Sequence, residues 1–198
     1  EMVRRLAGRL IDMDLLAQAS ELLRHQVDHR LKGAARAQIA ADLGVVYLMD
    51  RKPEEALRVL NRTRQAKLPR ELERQRNMVE ARALTESGRP DLALEIVRNM
   101  RGEDVDRLKA DTLWAAQSWR EAGELLEGLV GGRWSDSVAL ADQERTDILR
   151  AAIGYSLADD DFSLSRLKAK FTDKMSDSPD TAAFDIVTRP VADRGVEF

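Results

Sequence analysis

The sequence predicts an all-α chain built from about five antiparallel helix hairpins, and three observations carry that expectation. Aromatic residues make up only 5% of the 198 residues, whereas charged residues make up 34%. That balance favours Leu/Ala-rich helices over the aromatic and β-branched residues of strands. Small residues also recur in pairs twelve positions apart: Ala7 with Ala19, Gly44 with Ala56, Ala81 with Ala93, Ala110 with Ala122 and, with a larger second member, Ala152 with Leu164. Between the members of each pair stands a turn signal, at 12–14, 50–53, 87–90, 117–118 and 159–161. A fixed offset between two small residues has a steric cause. Both lie where paired antiparallel helices approach most closely, and a larger side chain would push the helices apart.

Taken in order, the first hairpin is already helical by Met2. With Glu at position 1, the segment is expected to belong to a longer chain. In the second, Leu43, Val46 and Tyr47 share one face before the turn, and Ala56, Leu57 and Leu60 share one after it. Pro53 opens the second helix, where its missing N–H costs nothing, and Glu54 and Glu55 suit the positive end of the helix dipole. The third repeats this scheme, with Gly88 ending one helix, Pro90 opening the next and Asp91 in its first turn. The fourth holds Trp114, Trp119 and Trp134, each expected in the core, although Trp114 falls on the side of its helix that faces a groove. The fifth closes with a helix carrying Leu164, Leu167, Phe171 and Met175 at helical spacing between Lys168, Lys170 and Lys174, suited to covering a last apolar face. A helical domain is therefore expected over 1–176, followed over 177–198 by a short helix and a tail. The turn lies at Ser178 and Pro179, the short helix spans 182–187, and the extended tail is broken by Pro190 and Gly195. Phe184 and Ile186 are expected to pack on the last hairpin, while Val187 and Phe198 are also too apolar for a purely solvated tail. The alternative is that the tail is itself a ligand for a neighbouring copy or another protein.

Leu43, Gly44, Tyr47 and Ala56 follow the order of leucine, small residue, aromatic and later alanine that marks the tetratricopeptide repeat, a helix–turn–helix unit of about 34 residues. Leu6, Ala7, Leu10 and Ala19 match with leucine for the aromatic; Ala81, Leu84, Gly88 and Ala93 match with the turn glycine present. The chain therefore resembles a divergent tetratricopeptide-repeat array over roughly residues 2–175. Its units are irregular: the second-helix alanines are 37 residues apart from Ala19 to Ala56 and from Ala56 to Ala93, but 29 from Ala93 to Ala122. The family's closing proline has a counterpart only in Pro69. The resemblance implies a right-handed α-solenoid whose first helices line a concave groove that holds a partner's peptide. Carried over unit by unit, the groove positions are Arg5 and Asp12; Gln38, Asp42, Val45 and Met49; Gln75, Met78, Arg82 and Glu86; Asp111 and Trp114. The lysine and asparagine clamp with which some members hold a partner's C-terminal carboxylate is not found at matching positions.

Several chemistries are set aside. With 32 Lys and Arg against 35 Asp and Glu, net −3, the chain has no strongly basic field for nucleic acid, so a protein or peptide is the expected partner. No stretch approaches the roughly 20 apolar residues that span a bilayer, so a soluble segment without membrane contact is expected. The absence of cysteine removes disulfides, thiolate nucleophiles and cysteine-held metals, and is compatible with cytoplasm or periplasm. His25 and His29, with Glu21 one turn earlier, have ligand spacing but no third partner of a catalytic site, and read as a solvated pair. Asp159, Asp160 and Asp161 lack the pattern of a calcium loop and read as a helix N-cap. Gly131 and Gly132 form a plain turn, and no phosphate loop, nucleophile elbow or dinucleotide fingerprint occurs. Arg58, Arg62, Arg64, Lys67, Arg70, Arg74 and Arg76 outnumber Glu71 and Glu73, but no aromatic residue stands among them to stack bases, so they read as a solvated face. The expectation is a non-enzymatic protein-interaction module with no cofactor and no metal, able to form homo-oligomers. The alternatives are a spacer or oligomerisation arm of a longer protein, or an accessory segment of an enzyme whose catalytic part lies elsewhere.

Overall fold

The computed structural model describes residues 2–176 and 178–189; Glu1, Asp177 and the expected tail with Pro190, Gly195 and Phe198 lie outside the described residues. Among the described residues there are eleven α-helices and no strand, as the composition predicts. They are α1 (Met2–Asp12), α2 (Leu16–His25), α3 (Gly33–Met49), α4 (Pro53–Arg62), α5 (Arg70–Glu86), α6 (Pro90–Val97), α7 (Glu103–Ala115), α8 (Trp119–Val130), α9 (Asp142–Leu157), α10 (Asp161–Met175) and α11 (Thr181–Val187). A π-helical turn over Gln26–Arg30 extends α2, and a 3-10 turn over Gly131–Ser135 follows α8. No helix among the described residues is long and apolar enough to cross a membrane.

α1 packs on α2, α3 on α4, α5 on α6, α7 on α8 and α9 on α10, so the five expected hairpins are present. All ten members of the small-residue pairs are buried. Gly44 shows why: a Cβ there would stand 4.0 Å from the Ala56 Cβ across the hairpin and 2.9 Å from Val79 Cγ1 of α5.

One turn joins all five hairpins. The residue seven places after the first small residue is left-handed in each: Asp14 (φ 58°), Arg51 (54°), Gly88 (74°), Gln117 (60°) and Asp159 (52°). Its N–H donates to the carbonyl three residues back, and the next N–H donates five back, as in Asp14→Ile11 with Leu15→Leu10 and Gln117→Trp114 with Ser118→Leu113. These bonds satisfy carbonyls that a helix end leaves free. The carbonyl of that next residue then accepts from the second small residue, as Leu15 accepts from Ala19 and Ser118 from Ala122. The twelve-residue offset is thus the length of one hydrogen-bonded turn.

Residues 1–99 and 100–198 form two compact units. In the first, consecutive helices pack, and α3 also packs on α5. Arg76, which belongs to the basic run expected to be solvated, is instead buried. Its guanidinium donates to the carbonyls of Ala37 (2.8 Å) and Leu60 (2.7 Å) and to Thr63 Oγ1 (3.3 Å), linking α3, α4 and α5. Burial lowers its pKa from the usual arginine value.

In the second unit α8 packs on α9 at a glycine crossing: a Cβ on Gly154 would stand 2.7 Å from the Trp119 carbonyl oxygen, and one on Gly123 3.0 Å from Tyr155 Cε1. The core gathers Leu126, Ile148, Tyr155, Leu167, Phe171, Met175 and Phe184, so α10 and α11 both pack into it, Phe184 as expected. Ile186 does not join it and is exposed. On a helix of barely two turns, Phe184 and Thr188 share the inward face, and a residue two places after Phe184 points the other way. The tryptophans also depart from expectation. Trp114 and Trp119 are half-buried, packed edge to face with centroids 5.1 Å apart, and Trp134 is exposed because its 3-10 turn stands outside the hairpin core.

Candidate protein-docking surface

On α3, residues 38, 42, 45 and 49 follow helical spacing along one stripe, and residues 75, 78, 82 and 86 do so on α5. The packing of α3 on α5 sets these stripes side by side. Gln38 Nε2 donates to Gln75 Oε1 at 2.9 Å, and both amides approach Asp42 Oδ1 at 3.4 Å. From α1, Arg4 reaches the same carboxylate, with Nε 2.7 Å from Oδ2 and Nη2 3.3 Å from Oδ1. Three successive first helices therefore meet at Asp42.

An open cavity of about 760 Å³ lies against this network, bordered by Arg4, Arg5, Ile11, Leu23, Val45 and Gln75 among others. Val45 is exposed and Arg5 stands at the rim. Toward the hairpin turns, Met49, Arg82 and Glu86 border a second cavity of about 660 Å³ with Arg51 and Pro53. There Arg82 Nε donates to Glu86 Oε1 at 3.1 Å. Asp12 is exposed near the end of α1, and Met78 is half-buried on α5.

The remaining two positions lie in the second unit. Asp111 of α7 pairs with Arg150 of α9 at 2.9 Å, and that guanidinium sits 5.0 Å from the Trp114 ring centroid, a cation–π contact. One turn earlier Arg107 of α7 bonds both oxygens of buried Asp147 on α9 at 3.0 and 2.9 Å. Arg4, Arg107, Asp147 and Arg150 were not anticipated. Their separations from partners, 38 to 40 residues, lie close to the repeat spacing, and that is the signal through which a charge scan could find them.

A second cluster escaped the sequence altogether. Glu127 of α8 is buried and accepts from Tyr155 Oη (2.8 Å), Arg166 Nη2 (2.7 Å) and Lys170 Nζ (2.8 Å). Burial works to raise its pKa, but bonds from Lys170, Tyr155 and Arg166 outweigh it and hold the carboxyl below the usual glutamate range. Burial first, and then the bond to Glu127, push the Tyr155 phenol up.

His25 and His29 stand one turn apart, ring centroids 5.1 Å apart, both exposed. Among the described residues no three His, Asp or Glu side chains gather as a metal site would need. The Asp159–161 run does cap a helix, Asp160 Oδ1 accepting from Ser163 N at 3.0 Å. The basic run is dispersed: Arg58 pairs with Glu55, Arg62 with Asp28 and Arg64 with Glu80. No family model, curated protein or solved structure matches the chain.

Proposed function

We propose that the chain is a protein-binding module of tetratricopeptide-repeat type, a right-handed α-solenoid whose first helices hold an extended segment of a partner. The observation that carries this reading is the convergence of Arg4, Gln38, Asp42 and Gln75, from three first helices, beside an open cavity bordered by Ile11, Leu23 and Val45. Mixed polar and apolar anchors over a preformed surface suit a peptide, since little ordering is needed on binding. The Arg4–Asp42 pair is a half-exposed ion pair, of a kind that contributes no more than about 1 kcal/mol. An arginine or lysine of the partner can take the place of Arg4 at small cost, with neighbouring apolar residues over Val45 and Met49.

Panning a random peptide library against the chain tests this. Enriched peptides should carry a basic residue beside apolar ones and lose binding at least tenfold to Asp42→Lys, Val45→Asp and Arg82→Glu, while variants and parent melt alike. Trp114→Ala tests the second unit in the same way. Absence of enrichment, or equal binding by all variants, would point to a spacer arm.

A further inference from the structure

We propose that the second unit binds a saccharide in the open cleft beside Glu127, with the flat C–H face of one sugar ring on Trp134 and its hydroxyls on Arg166, Lys170 and Glu124. The cleft shares no residue with the peptide groove.

α9 packs on both α8 and α10, and the 3-10 turn packs on the same two helices, framing a cavity of about 480 Å³. That volume lies in the range of small-ligand sites. Gly128, Gly131 and Gly132 border it. Gly131 is left-handed (φ 61°), a conformation that favours glycine. Gly128 has no such reason. It lies inside α8, where glycine is a poor helix former, and a Cβ there would meet nothing within 4 Å. Six places after the second small residue, the same position holds His25, Arg62, Asn99 and Lys170 in the other hairpins. A bare backbone at 128 therefore serves neither a turn nor the packing, and it leaves the Glu127 cluster open to solvent-borne ligands.

The side chains around the cleft select the ligand. Trp134 offers an indole that is 47% exposed. Arg166 Nη2 and Lys170 Nζ hold Glu127, yet both cations carry further N–H groups, and Arg166 Nε is buried without a partner among the described residues. Exposed Glu124 brings a carboxylate, which only accepts. Two cations and two carboxylates border the cleft, so it favours neither sign of charge. An anion would face Glu124, a cation would face Arg166 and Lys170, and a purely apolar ring would bury donors without partners. A sugar meets none of these costs. Its hydroxyls both donate and accept, and its axial C–H groups form a flat apolar face that suits an exposed indole. Buried Glu127 fixes Arg166 and Lys170 from behind at 2.7 and 2.8 Å, so the donors are set before the ligand arrives.

Screening the chain on an array of immobilised oligosaccharides, and then titrating a retained sugar by calorimetry, tests this. At least one oligosaccharide should be retained. Gly128→Leu fills the cleft and Trp134→Ala removes the platform, so each should weaken that sugar by about tenfold or more. Helicity and melting should stay as in wild type, since a Cβ at 128 meets nothing and Trp134 stands outside the hairpin core. Inorganic phosphate and acetate should not displace the sugar. Retention of no oligosaccharide would overturn the proposal, as would a sugar held equally by wild type and both variants. Displacement by phosphate would also overturn it, because the cleft would then be an anion site.

Discussion

Gly154 sits against the Trp119 carbonyl oxygen, 2.7 Å from where a Cβ would be, and backbone cannot move aside as a side-chain tip can. Gly154→Ala should therefore destabilise the second unit by about 1–3 kcal/mol, as overpacking does, read as a lowered midpoint in urea. An unchanged midpoint would mean that α8 and α9 are not this close. The residue scale is also where sequence reading stops. The paired alanines were legible because their offset repeats, whereas Gly123 and Gly154 belong to a crossing between hairpins, whose spacing varies. Arg76 looked like a surface residue because arginine rarely enters a core. Its place in the repeat, where α3 has Ile39, was the cue that its charge concealed.

Among the elements, the hairpin turn was legible only in outline. Gly88 marked one turn by its chemistry, but Asp14, Arg51, Gln117 and Asp159 adopt the same left-handed conformation without being glycine. Their geometry follows from the shared hydrogen bonds rather than from local preference. An L-residue in that conformation costs about 1–2 kcal/mol, and glycine escapes most of this. Gln117→Gly should thus stabilise by about 1 kcal/mol and Gly88→Ala should destabilise by a similar amount, both measured by chemical denaturation. Equal midpoints for the parent and both variants would contradict the common turn. Amphipathic pattern served well for the closing helix, where Leu164, Leu167, Phe171 and Met175 are all buried. It served poorly for the tryptophans, which pattern alone assigned to a core that their half-buried or exposed positions do not reach.

For the molecule as a whole, acid sensitivity follows from carboxyls held by cations and N–H groups. Four carboxyls held below their usual range lie in residues 100–198: Glu127, despite burial, by Lys170, Tyr155 and Arg166; Asp136 by Lys174; Glu144 by Arg133; Asp160 by the Ser163 N–H. A carboxyl whose folded pKa is depressed contributes stability that is present above its unfolded pKa and lost as pH falls through the folded one. For Glu127 that loss begins below its ordinary value of 4.5. Hydrogen exchange should show residues 100–198 losing protection as pH falls from 5 to 3. Glu127→Gln should reduce the pH dependence of that loss. Unchanged protection of residues 100–198 over that range would contradict it. The all-α class and the five hairpins were legible at this scale; the division near residue 99 was not, because the link between α6 and α7 resembles the links between other hairpins in length.

The peptide groove is tested most directly by placing a photo-reactive side chain at Val45 or Met49, with His29 on the exposed end of α2 as the control, and cross-linking to peptides enriched on the chain. Adducts are expected from Val45 and Met49, suppressed by unlabelled peptide, and none from His29. Adducts from His29 alone, or equal labelling from all three positions, would contradict it.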